Sequence, residues 1–67
     1  MVTIMLIGEQ FKCVKEFFVD NVVITPGTRW VINRLYEGGD IDMRNKSLAS
    51  LIHISHRQFC ECFRRQA

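Results

Sequence analysis

The residues best equipped for chemistry crowd the C-terminal part of this 67-residue chain: His53, His56, Cys60 and Cys62, with a third cysteine, Cys13, far upstream. Imidazoles and thiolates are zinc ligands, but H-x2-H-x3-C-x-C is not a familiar structural zinc spacing. On a helix Cys60 and Cys62 point to different faces. His56 and Cys60, at i and i+4, could share a metal, yet two ligands do not make a structural site. The same pair is the only local arrangement of a base beside a nucleophile. No carboxylate is placed to orient the imidazole, and no glycine-rich oxyanion loop is evident. The expectation is therefore no metal, no cofactor and no catalysis, with the cysteines as small, partly buried hydrophobes and the histidines at the surface.

The same region carries a second kind of chemistry. Ser47 to Arg65 resembles a helix-turn-helix, and its ending resembles the first half of an AraC-type DNA-binding domain. In that reading Arg57 and Gln58, near the start of the second helix, would read base edges in a major groove. Two features oppose it. His53 stands at the turn position where glycine is usual, and residues 19 to 44 are strand-like and turn-rich, so no further helices bury such a unit. A strand followed by a short packing helix accounts for the same residues: Ile52 and Ile54 flank His53, and Ser55 is a natural N-cap for a helix from His56 to Arg65, with Phe59 and Phe63 on one face.

The elements that must position these groups are organised around Thr25 to Tyr36. Pro26-Gly27 suits the two central positions of a type II turn, and a long strand with the only Trp and the only Tyr follows. Period-two alternation puts Trp30, Ile32, Arg34 and Tyr36 on one face, inward, with Arg34 at a rim. Gly38-Gly39-Asp40 suits a hairpin turn, and Ile41 and Met43 alternate with Asp42 and Arg44 as a half-buried strand. Upstream, Met1 to Ile7 reads as an apolar arm or lead-in strand and Gly8-Glu9-Gln10 as a turn. Gln10 to Val19 fits strand better than helix, because it is aromatic-rich and has no N-cap. Asp20-Asn21 closes a turn into the short strand Val22 to Ile24.

Composition sets the remaining bounds. A domain of this size buries only about 60% of its unfolded surface, while 48% of the residues are hydrophobic; exposed apolar surface is expected, which leaves an oligomer or an obligate partner open. The net charge of +2 is too small to argue for nucleic acid by itself. An odd number of cysteines without a framework fits a reducing cytoplasm. The N-terminal apolar stretch lacks a basic flank and is too short to span a bilayer. Asn45-Lys46-Ser47 matches a glycosylation sequon, which matters only in a secretory compartment.

Four stretches in order carry a resemblance: Gly-Glu-Gln-Phe-Lys-Cys-Val-Lys at 8–15, Pro-Gly-Thr-Arg-Trp at 26–30, Gly-Gly-Asp-Ile-Asp-Met at 38–43 and Ile-Ser-His-Arg-Gln-Phe-Cys-Glu-Cys-Phe at 54–63. Over roughly residues 7 to 65 the chain resembles a group of small phage and prophage accessory proteins with an SH3-like barrel, departing at Leu48 to Leu51, where a polar hairpin is expected. The resemblance implies no enzymatic role and a host protein or nucleic acid as partner.

The expectation is one domain over residues 1–67, mainly β, a small SH3-like barrel of about five strands with a short C-terminal helix. Function is expected to be non-enzymatic: a cytoplasmic, phage-type binding protein that sequesters or inhibits a host macromolecule, without membrane contact and with homo-oligomers open. Its surface would comprise the N-terminal arm, Phe17 or Phe18, and the basic residues Arg57, Arg64 and Arg65. A DNA-binding regulator using Arg57 and Gln58 is the alternative, and an oligomeric small-ligand sponge a third reading.

Overall fold

Antiparallel pairing of short β-branched and aromatic segments builds the molecule, seen in a computed structural model that describes residues 6–45, 47 and 50–65. The strands are β1 (Gln10–Cys13), β2 (Phe17–Val19), β3 (Val22–Ile24), β4 (Arg29–Leu35), β5 (Ile41–Asn45), β6 (Ser50–Ile54) and β7 (Phe63–Arg65), with one helix, α1 (His56–Cys62), before β7. Five strands form a sheet in the order β6-β5-β4-β1-β7, and β2 and β3 form a separate hairpin. β4, β5 and β6 form a meander, and the last strand, β7, returns after α1 to pair with the first. The fold is mainly β, as the sequence leads one to expect. The stretch read as one strand, Gln10 to Val19, is two strands broken at Val14 to Glu16.

Turn chemistry fixes the corners. Gly27 takes φ +94° behind Pro26, and the Thr25 carbonyl accepts from both the Thr28 amide (3.4 Å) and the Thr28 hydroxyl (2.7 Å). The same hydroxyl accepts from the Trp30 indole at 2.9 Å, so the turn satisfies the one polar atom of the buried ring. Asp20 and Asn21 both have positive φ (51° and 62°), the geometry of a type I′ hairpin turn, which these two residue types tolerate. Asn45 is only 4% exposed and its side-chain oxygen accepts the Ser47 amide at 2.9 Å. The asparagine of the sequon is thus committed to its own turn.

One departure from simple alternation reshapes the sheet. Ile32 pairs with Met43 but Arg34 with Asp42, so Asn33 is an extra residue in β4. A bulge of this kind shifts the phase by one. Trp30 and Ile32 point into the core, as expected, but Arg34 and Tyr36 emerge on the opposite, outer face instead of sharing the inner one.

The core lies between the inner face of the sheet, the β2–β3 hairpin and α1. Phe11 is the cross-strand partner of Trp30 and meets the Phe59 ring edge-on at 4.7 Å. Phe63 stacks on Phe59 at 6.0 Å and receives the edge of Phe17 at 5.7 Å. Ser55 caps α1: its hydroxyl accepts the Gln58 amide (3.1 Å) while the Gln58 side chain accepts the Ser55 amide (3.2 Å), a capping box. The helix stops at Cys62, three residues before the expected Arg65, because Phe63 adopts an extended backbone and pairs with Cys13. Arg64 and Arg65 therefore belong to β7, not to a helix face. Residues 50–54 are a strand, so the helix-turn-helix is overturned: among the described residues there is one helix, and it has no helical partner to pack on.

Trp30 and Phe63 are both buried to within a few per cent. Trp30→Ala and Phe63→Ala should each cost about 3–5 kcal/mol, most of a total stability of about 5 kcal/mol. The expected readout is loss of a cooperative urea transition, and a retained transition with an unchanged midpoint would show that these rings do not hold the core.

Candidate functional site

The bulge at Asn33 and the register of β5 and β6 assemble a polar cluster on the outer face. Asp42 on β5 stands directly opposite His53 on β6 and Arg34 on β4. His53 Nδ1 lies 2.7 Å from Asp42 Oδ1, and His53 Nε2 lies 3.0 Å from Asp40 Oδ2. The Tyr36 hydroxyl donates to the second oxygen of Asp42 at 2.7 Å. The Tyr36 ring meets the His53 ring edge-on at 4.9 Å and carries the Arg34 guanidinium 4.8 Å from its centroid. A carboxylate of the β2–β3 turn, Asp20, accepts the backbone amide of His53 at 3.4 Å, so the cluster also ties the separate hairpin to the main sheet.

Its protonation state follows from geometry. A neutral imidazole has one N–H, so one of the two carboxylates would face a lone pair; imidazolium donates to both. The hydrogen bonds to Asp42 and then to Asp40 hold the His53 pKa above its ordinary value, with slight desolvation opposing. For Asp42, whose side chain is 13% exposed, desolvation pushes the carboxyl upward. Hydrogen bonds from Tyr36 and His53, with the charges of His53 and Arg34, outweigh it and leave the pKa below the ordinary value. The Tyr36 hydroxyl is raised, first by its bond to Asp42.

The cluster has the parts of an acid–base site but no nucleophile within reach among its contacts, and both imidazole nitrogens are occupied. Its bonds link β5 to β6, to Tyr36 just after β4 and to the hairpin turn. Among the described residues no group of three or more His, Cys, Asp or Glu side chains could hold a metal ion.

The four residues that opened the sequence argument are not brought together. Cys60 Sγ lies 3.4 Å from His56 Nε2, both exposed on α1, as i and i+4 require. Cys62 is buried in the core and Cys13 fully so; burial raises both thiols, which disfavours the thiolate that metal binding or nucleophilic attack needs. A cleft of about 350 Å³, lined by Gly27, Thr28, Arg29, Asn45 and Ser47, opens at the far end of β4 and β5 and contains no pairing of nucleophile and base.

The residues expected to bind a partner separate into two groups. Phe18 is 64% exposed, whereas Phe17 turns inward against Phe63. Arg57 is exposed and pairs with Glu61 one turn on, at 3.3 Å; Gln58 is spent on the capping box. Arg64 donates to the carbonyls of Cys60 and Phe63, both at 2.8 Å, and so caps the end of α1. Arg65 pairs with Glu9 at 2.9 Å and lies over the Phe11 ring. Of the apolar arm, Leu6 and Ile7 are exposed, and residues 1–5 lie outside the described part. The sequence reading did not find the Tyr36–Asp42–His53–Asp40 cluster; the one available signal was His53 between two inward isoleucines opposite a strand carrying Asp42. No family model, curated protein or solved structure matches the chain.

The raised His53 stabilises the fold fully below about pH 6.5 and loses that effect as pH rises through its folded value. The lowered Asp42 acts in the opposite sense: its contribution is complete above about pH 4 and is lost as pH falls through its folded value. The urea midpoint should therefore drop as pH rises above about 6.5, through the raised His53 value. His53→Gln should flatten that drop. An undiminished drop in the variant would remove the cluster as its cause.

Proposed function

We propose that this protein is a non-catalytic binding module whose partner is another protein, engaged through the outward face of the β2–β3 hairpin. The observation that carries this reading is the cross-strand pair Phe18–Val23, with 64% and 51% of the two side chains' residues exposed on a hairpin whose other face supplies Phe17 and Ile24 to the core. A large aromatic held rigidly on a strand loses little freedom on docking, which is why such residues dominate interface energetics. The hairpin is anchored from behind by Phe17 on Phe63 and at its tip by Asp20 on His53, so it presents a preformed surface. Sequestering or inhibiting a host macromolecule would use this face; the resemblance to small phage accessory proteins implies a host protein or nucleic acid as partner.

The test is a photo-crosslinking amino acid placed at Phe18 and, separately, at the exposed Arg57 on α1, in cells of the source organism. A discrete protein captured from position 18 and not from 57, and lost on Val23→Asp in a chain that still unfolds cooperatively, is the expected outcome. Equal capture from both positions, or none from 18, removes the hairpin as the binding face. A captured second copy of the chain would redirect the reading to self-association.

A further inference from the structure

The outer face of the main sheet carries a second surface, of opposite chemistry, that the hairpin reading does not use. Lys12 on β1 is the direct cross-strand partner of Arg29 on β4 and of Arg64 on β7. Arg44 on β5 stands opposite Val31, two residues along β4 from Arg29 on the same face. All four are exposed. Three like charges in adjacent positions across three strands repel one another and weaken the pairing. Among the described residues no acid lies within ion-pair distance of Lys12, Arg29, Arg44 or Arg64. Arg64 directs one nitrogen at two backbone carbonyls, which does not cancel its charge.

The acids of this face are elsewhere. Asp42, two residues from Arg44 on β5, is occupied by Tyr36 and His53, and Asp40 is occupied by His53. The face is divided: a neutralised corner around His53, and an uncompensated cationic track crossing β5, β4, β1 and β7. At about 4.8 Å between strands the track runs roughly 14 Å, about four base-pair steps of a duplex at 3.4 Å per step on each strand.

We propose that this track binds double-stranded nucleic acid through its phosphates, without reading sequence. Polyanion is the complement of an unpaired row of cations held on a rigid sheet. A duplex is favoured over a single strand because no aromatic side chain lies along the track: single-strand sites combine a basic groove with rings on which bases stack. The exposed aromatic Phe18 is on the hairpin, outside the sheet, and Tyr36 is tied into the His53 cluster. Lys12, Arg29, Arg44 and Arg64 have no groove-entering element behind them, which makes backbone contact the mode.

The measurement is fluorescence anisotropy of a labelled DNA duplex of about 20 bp and mixed sequence, titrated with the full chain over a range of salt. Four phosphate contacts predict a slope of log K against log salt of about −3.6, roughly 150-fold weaker binding between 50 and 200 mM. Lys12→Gln with Arg29→Gln should make the slope shallower by about 2 and leave the melting temperature unchanged or higher, since like-charge contacts are removed. Phe18→Ser should leave duplex binding unchanged, which separates this surface from the hairpin. The proposal is overturned if the duplex fails to bind at low salt, if the double variant keeps the wild-type slope, or if a single strand of the same length or phosphatidylserine vesicles bind as tightly as the duplex.

Discussion

One unpaired residue, Asn33, decides which side chains of the longest strand face water. Strand side chains alternate with a period of two, so an extra residue exchanges the faces of everything that follows it. Before the bulge, Trp30 and Ile32 fill the core against Phe11 and Met43. After it, Arg34 and Tyr36 lie beside Asp42, and Tyr36 can donate to the carboxylate that also holds His53. With unbroken alternation the guanidinium of Arg34 and the phenol of Tyr36 would be driven toward the apolar interior, where an unpaired charge is costly. The bulge lets one strand serve as core wall at one end and as scaffold of a polar cluster at the other.

Closure depends on a second constraint, the double role of β1. It pairs with β4 on one side and β7 on the other, and β7 follows the helix directly. Phe63 is at once the C-cap of α1 and the partner of Cys13, so the helix must end where the strand begins. The capping box at Ser55 fixes the opposite end, leaving a helix of seven residues. Such a helix is too short to be stable alone; it persists because Phe59 and Cys62 are buried under it. The positions of Arg64 and Arg65 follow from this, since the chain becomes extended before it reaches them.

Local chemistry was legible in the sequence. The Pro26-Gly27 turn, the Asp20-Asn21 turn, the Ser55 cap and the alternation of Ile41 and Met43 all depend on residues within four positions of one another, and each is where the residue types place it. Features set by register were not legible. Nothing in Trp-Val-Ile-Asn-Arg-Leu-Tyr announces an extra residue at Asn33. The end of α1 was hidden because Phe63, at i+4 from Phe59, fits a helical stripe and an inward strand position equally well. The helix-turn-helix pattern arose from the same ambiguity: Leu51 to Ile54 gives apolar residues compatible with either period, and pairing with β5 decided for strand. Phe17 and Phe18 were separable only in part, because alternation requires one to face out but does not say which.

Net charge was the least informative quantity of all, for a physical reason. A value of +2 describes a sphere of uniform charge, whereas a bound polyanion feels the field within about a Debye length, roughly 8 Å at physiological salt. Over that distance the two halves of the sheet face are different surfaces. On one, Asp40 and Asp42 are matched by His53, Arg34 and the Tyr36 hydroxyl. On the other, cations separated in sequence by as much as Lys12 and Arg64 become neighbours by pairing across β1 and β7. Asp42, two residues from Arg44 on β5, has its oxygens taken up by Tyr36 and His53 instead.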